Sequence, residues 1–448
     1  MLWELQAFRD DFYACLQRRA DALFELTDAV LSVGSVPSTP YLSLAPIHRR
    51  GWGSLYAALR EGALDEEDVC KLLASHPLAH DSIGERPRIY AVDVSPWPRC
   101  EAKTSPERGY LYHASRHSSG KPVVPGWAYS LVAELGFARD SWCAPVDALR
   151  VRPDENDNEI AAEQVKALLG RVSGTQADPL FVFDAGYDPV KLTQHLEERS
   201  AQILVRLACN RSFYFEPSPE SRKPVGRGPI HGEKFDLEDP STWPEATWEH
   251  RCDDASYGSV RVRAWSGLHP KTRYAKERYS YKTVAVATGT VVLVEVERLP
   301  SGEQRRMPRA VWLWWHGQDE PDLDLLWRAY TKRFSIEHMI RLWKGSLGWT
   351  TPRVRHPEQA DRWTWLVLAA YTQLRLACYV VADQKLPWEK PLAAEKLTPY
   401  RVLRGFSAVL PELGTPASAP KPRGKPPGRP KGRLSGRAGR HPPVKKAA

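Results

Sequence analysis

Four residues with reactive side chains recur at fixed spacing near the end of the chain: Tyr330, Arg333, Glu337 and Lys344, in the run Tyr-Thr-Lys-Arg-Phe-Ser-Ile-Glu-His-Met-Ile-Arg-Leu-Trp-Lys. On a helix that advances about 100° per residue, they share a stripe about 60° wide. On an exposed helix that stripe is a salt-bridged face, with Arg333 and Glu337 as an i,i+4 pair worth a few tenths of a kcal/mol. Two further carboxylates, Asp93 and Asp184, each end an apolar run, Ile89–Val92 and Leu180–Phe183. A sheet presents side chains in this way at its carboxyl edge. Taken singly, each Asp reads as a metal ligand or as a turn or cap residue. Asp184 precedes Ala185-Gly186-Tyr187, and Asp188 has the position of the next helix's N-cap.

The elements that would carry these residues alternate. Apolar positions Leu5, Phe8, Phe12, Cys15, Leu16, Ala20, Leu23 and Leu26 predict helix over 3–33. A Ser/Pro-rich break follows, then short helical patterns near 54–61 and 65–74. Residues 1–80 read as a helical domain that either binds DNA or braces the next domain. From 88 onward, strand patterns at 89–92, 123–132, 180–183 and 203–205 alternate with helical ones at 160–169 and 188–199, which predicts a mixed or parallel sheet. Residues 210–305 break that rhythm with Pro, Gly and Trp, then Val260-Arg261-Val262-Arg263 and a valine-rich run to Val296. They predict a β-rich insertion. Helix is expected again at 321–346 and 357–382. The expected organisation is thus 1–80, a first part of the core at 85–209, the insertion at 210–305, a second part at 306–405, and a disordered basic tail at 411–448.

Charge is concentrated in that tail. The 448 residues carry 63 Lys and Arg against 54 Asp and Glu, but ten of the cations lie in 421–448, leaving 53 against 54 elsewhere. Seven scattered cysteines, none spaced Cys-x2-Cys, predict neither a disulfide framework nor a structural zinc site. The start lacks a signal-peptide pattern, and the longest apolar stretch, 365–371, is far short of the roughly 20 residues a membrane span needs. A soluble cytoplasmic protein is expected, with no membrane partner. No phosphate-binding loop or dinucleotide fingerprint is present, so no nucleotide cofactor is expected.

Strand-ending Asp, strand-ending Asp, then Glu on a late helix is the order of the DDE nucleases with a ribonuclease H-like fold. The spacing Tyr330-x2-Arg333-x3-Glu337-x6-Lys344 resembles the Y-x2-R-x3-E-x6-K motif of a large group of bacterial insertion-sequence transposases. The resemblance covers roughly 85–385. The 153 positions between Asp184 and Glu337 also resemble those proteins, which place a β-rich insertion before the Glu helix. The implied fold is an α/β, ribonuclease H-like mixed sheet with helices, interrupted by that insertion, with an N-terminal helical domain and a disordered basic tail.

The resemblance implies a transposase that cleaves and joins DNA at the inverted repeats of its own element, as a homodimer on double-stranded DNA near the nucleoid. Asp93, Asp184 and Glu337 would be catalytic and hold Mg²⁺, with Mn²⁺ as a substitute, Asp93 bridging two ions. Tyr330, Arg333 and Lys344 would contact phosphates. Trp312, with Trp314 on the same strand face, would be placed to stack on a flipped base; Arg206 and Arg211 would line a DNA channel. In the tail, Pro427-Gly428-Arg429-Pro430-Lys431-Gly432-Arg433 resembles an AT-hook, with Pro427 where an Arg is usual, so Arg429, Lys431 and Arg433 would enter a minor groove. The alternatives are a non-catalytic DNA-binding protein and a stand-alone metal-dependent nuclease.

Overall fold

The computed structural model describes residues 2–78, 86–112, 122–138, 142–172, 177–197, 199–218, 229–271, 274–277, 280–283, 287–300, 309–422, 428, 432, 436 and 438–445. Its helices are α1 (Leu2–Ala14), α2 (Ala20–Ser32), α3 (Trp52–Glu61), α4 (Glu66–Ala74), α5 (Asp157–Arg171), α6 (Pro189–Leu196), α7 (Leu323–Lys332), α8 (Phe334–Gly345), α9 (Pro357–Leu376), α10 (Pro399–Phe406) and α11 (Leu410–Leu413). The strands are β1 (Leu16–Arg18), β2 (Ala63–Leu64), β3 (Ile89–Pro98), β4 (Gly109–Tyr112), β5 (Val123–Leu135), β6 (Cys143–Val151), β7 (Leu180–Phe183), β8 (Gln202–Arg206), β9 (Ser212–Tyr214), β10 (Lys234–Asp236), β11 (Trp248–Asp254), β12 (Gly258–Pro270), β13 (Tyr274–Glu277), β14 (Ser280–Thr283), β15 (Gly289–Val296) and β16 (Ala310–His316). They form two compact units, one of residues 1–81, 93–160 and 335–448, the other of 82–92 and 161–334. The mixed α/β class expected from the sequence is what the chain adopts.

In the first unit, α9 is the central helix. Its side chains are buried from Trp363 to Leu374 without interruption, as a helix packed on all sides requires. Helices α1 to α4 pack against it, together with α10 and β6. The N-terminal helices therefore brace this unit. A buried ion pair ties them in: Arg9 donates to Asp28 at 2.6 Å, to Gln373 of α9 at 2.7 Å and to the Gly414 carbonyl at 3.0 Å. Local signals set the starts of the shorter helices; Asp65 caps α4 by accepting the Asp68 N–H, and three acids fill its first turn. In the same unit β5 pairs antiparallel with β4 and β6.

In the second unit β7 is flanked in parallel by the first residues of β3 and by β8. All four residues of β7 are fully buried, which is why it reads as a continuous apolar run. Beyond β8 the order continues antiparallel through β16, β15 and β12 to the edge strand β11, with β9 and β10 joined to the far end of β12. The β-rich insertion thus extends the same sheet, because β16 pairs with β8 directly.

Two expectations need correction. The helix expected over 321–346 is two helices: α7 ends at Lys332, and Arg333 occupies its C-cap, donating its N–H to the Ala329 and Tyr330 carbonyls, before α8 begins. The segment expected to be disordered from 411 is held in two places. Gly414, Ala417 and Ser418 engage Arg9, Arg49 and Asp21. Further on, the His441 N–H donates to the Lys103 carbonyl at 2.8 Å and the Val444 N–H to the Arg108 carbonyl at 2.7 Å. Backbone groups can supply such anchors whatever the side-chain composition, so the Pro/Gly/Lys/Arg bias did not reveal them.

Candidate active site

The second unit assembles four of the expected residues. Asp184 leaves β7 after its last buried residue, and the chain turns at once. Its Oδ1 accepts the Gly186 N–H at 2.8 Å, which fixes the carboxylate and leaves Oδ2 outside that turn. Arg206 ends β8. Because Phe183 is paired with Val205, Asp184 and Arg206 follow one position later on neighbouring parallel strands. Tyr330, on the last turn of α7, is 3% exposed. Burial pushes its hydroxyl up, Arg206 and Arg333 draw it back down, and Asp184 adds to the rise. Arg333 is itself buried, its guanidinium 5.1 Å from the centre of the Phe334 ring. A phenol, two guanidiniums and a carboxylate therefore share one environment.

In the first unit, Asp93 lies half-buried on β3 and Lys344 half-buried on α8. Burial pulls the Lys344 ammonium down to about 8, while Asp93 holds it up. The ammonium lies 5.6 Å from the centre of the Trp349 ring, a cation–π contact that fixes its position. Glu337 stands seven residues before Lys344, two turns along the same face of α8. Ile336, Met339, Ile340 and Trp343 bury the opposite side, leaving Glu337 and Lys344 at its margin. Trp349 escaped the sequence reading, because a contact five residues beyond Lys344, past the helix end, has no periodic signature.

Ala91 of β3 is paired with Val182 of β7; in the sequence Asp93 and Asp184 stand two residues after them, Asp93 within β3, which runs on to Pro98, and Asp184 just beyond the end of β7. Asp93, Asp184 and Glu337 offer only carboxylate oxygens, and all three are half-buried. Carboxylate oxygens favour hard divalent cations over zinc or copper.

The remaining expected residues divide differently. Trp312 is 7% exposed and packs among Phe235, Trp243 and Trp265, with ring centroids 6.0, 5.1 and 5.9 Å away. Trp314 is fully buried, stacked on Phe213 and donating to Thr193 at 3.1 Å. Contrary to the base-stacking role expected of them, both rings are packed into the interior of this unit and their faces are already covered. Arg211 lies half-buried between β8 and β9, its carbonyl accepting the Leu237 N–H. Arg429, Lys431 and Arg433 lie outside the described residues.

The family profile of the DDE superfamily endonucleases matches residues 11–271. The chain belongs to that family, whose members cleave DNA and generally use divalent metals. The match takes in Asp93 and Asp184, starts within α1, well before the limit read from the sequence, and stops short of Glu337. No curated protein matches the chain.

Proposed function

We propose that the protein is an insertion-sequence transposase that cuts DNA at its element's inverted repeats and joins the freed ends to a target. The observation that supports the reading is the match of the DDE endonuclease family over residues 11–271, which takes in Asp93 and Asp184; each stands two residues after a member of the parallel pair Ala91–Val182. Glu337 supplies the third carboxylate. The three are proposed to hold Mg²⁺, or Mn²⁺ in its place, which when bound neutralises their mutual repulsion and the charge that develops at phosphorus. Tyr330, Arg333, Arg206 and Lys344 hold backbone phosphates, positioning DNA without reading its sequence.

In the first step, water attacks the phosphodiester at the element end, forming one P–O bond as the bond to the 3′-oxygen breaks and leaving a 3′-hydroxyl. In the second, that hydroxyl attacks a target phosphodiester, so each bond broken is replaced by one formed and no nucleotide cofactor is consumed. Joining two ends suits a homodimer working in the cytoplasm at the nucleoid. Among the described residues no helix is long and apolar enough to cross a membrane.

The test is cleavage of a labelled duplex carrying the element end, with Mg²⁺ or EDTA, for the wild type and Glu337→Ala. Metal-dependent nicking and strand-transfer products, both lost in Glu337→Ala, are expected. Nicking without strand transfer would make the protein a stand-alone nuclease. Binding without any cleavage would make it a non-catalytic DNA-binding protein.

A further inference from the structure

The inward face of the edge strand β11 is unusual. Trp248, His250, Cys252 and Asp254 alternate as its half-buried positions, where an edge strand packed on a helix would ordinarily place apolar side chains. Opposite them, α7 contributes Asp324 and Arg328. One ligand atom each from His250, Cys252 and Asp324 lies within 4.8 Å of the other two. The His250 Nε2 is closed off from solvent and makes no hydrogen bond among the described residues, with Asp324 Oδ1 3.5 Å away. All of these residues belong to the second unit.

We propose that His250, Cys252 and Asp324 form a second metal site, selective for zinc-like cations and distinct from the carboxylate centre. Imidazole nitrogen, thiolate sulfur and carboxylate oxygen are the donors zinc takes. Bond lengths of about 2.0–2.3 Å in tetrahedral geometry put neighbouring ligand atoms about 3.3–3.7 Å apart, which the His250–Asp324 separation already meets. The carboxylate is held in place: Arg328 Nε lies 2.9 and 3.0 Å from its two oxygens and Trp327 Nε1 donates to Oδ1 at 3.1 Å, as the partners of a metal-binding carboxylate do.

The charges also balance. Arg328 bridges Asp324 and Asp254, its NH1 3.3 Å from Asp254 Oδ2. Two carboxylates and a Cys252 thiolate against one guanidinium leave two negative charges, the charge of one divalent cation. The metal would pin the edge strand of the insertion to α7, the helix whose last turn carries Tyr330. Cys-x2-Cys spacing is no guide to such a site, because His250 and Cys252 alternate on a strand and the third ligand comes 72 residues later.

The test uses Co²⁺ added to the metal-stripped full-length chain. Binding of one equivalent with a thiolate-to-cobalt absorption band in the near ultraviolet is expected, a band that the all-oxygen carboxylate centre cannot give. Cys252→Ser should abolish the band, and His250→Ala should weaken Co²⁺ binding at this site at least tenfold. Zn²⁺ should raise the Tm of the wild type more than that of Cys252→Ser, and Cys209→Ser, at an exposed cysteine, should behave as wild type. Should Cys252→Ser fail to fold, His250→Ala carries the comparison. A wild-type chain without the band, or a band that survives Cys252→Ser, overturns the proposal and leaves Arg328 as the guanidinium that bridges the two carboxylates.

Discussion

The Gly186 backbone N–H donates to Asp184 Oδ1 at 2.8 Å, so the carboxylate is fixed by the turn that follows its own strand. A β-carbon added at Gly186 would meet that same oxygen at 3.0 Å, closer than ordinary van der Waals contact. Gly186→Ala is therefore expected to shift the Asp184 carboxylate by a few tenths of an ångström while leaving the fold intact. Cleavage should fall about 10- to 100-fold, since misplacing a catalytic group by about 1 Å can cost 10²-fold, with Tm within about 2 °C of wild type. Equal rates for the two proteins would show that Asp184 does not act in the reaction.

Lys344 offers a cation at a defined position, above Trp349 and beside Asp93. If it holds a phosphate, Lys344→Met weakens binding to all duplexes alike. The slope of log K against log salt should then drop by about 1, the signature of one lost phosphate contact. Titrations of a specific and a random duplex at several salt concentrations measure this; an unchanged slope would assign Lys344 to Asp93 alone.

Trp312 separates core packing from base stacking. Its ring is closed in by Phe235, Trp243 and Trp265, so Trp312→Ala should destabilise the protein by about 3–5 kcal/mol. Denaturant unfolding of the purified protein reads this directly. A loss of DNA processing with unchanged stability would instead restore the stacking role.

Arg9 tests the brace. Arg9→Met leaves Asp28, 1% exposed, without its counter-ion. Breaking a buried pair from one side costs about 3–5 kcal/mol. Arg9→Met with Asp28→Leu should recover much of that loss, and thermal unfolding of the two variants decides it.

Strand ends and spacing carried most of what the sequence disclosed. Asp184 could be placed because β7 is an uninterrupted apolar run that ends in an acid, and buried parallel strands read that way; Asp93, expected to end its strand likewise, lies inside β3, which runs on to Pro98. The Tyr330–Lys344 spacing was visible too. The break at Arg333 was not, because its φ of −50° and ψ of −33° are helical and no Pro or Gly marks it. Trp312 misled for a different reason: strand alternation gives the face a side chain occupies, and only the packed partners Phe235, Trp243 and Trp265 show that the face is closed. Likewise the β-rich composition of 210–305 was legible, whereas the pairing of β16 with β8 that merges it with the core sheet depends on contacts about 110 residues apart.

The partners of Arg9 have a consequence for how the protein comes into being. Its guanidinium binds Gln373 and the Gly414 carbonyl, 364 and 405 positions further along the chain. At about 5–20 residues per second, a ribosome needs roughly 20–80 s after making Arg9 to deliver the last of them. Throughout that interval the N-terminal helices exist without the groups that complete their interior, so this unit can finish folding only after Gly414 has been made.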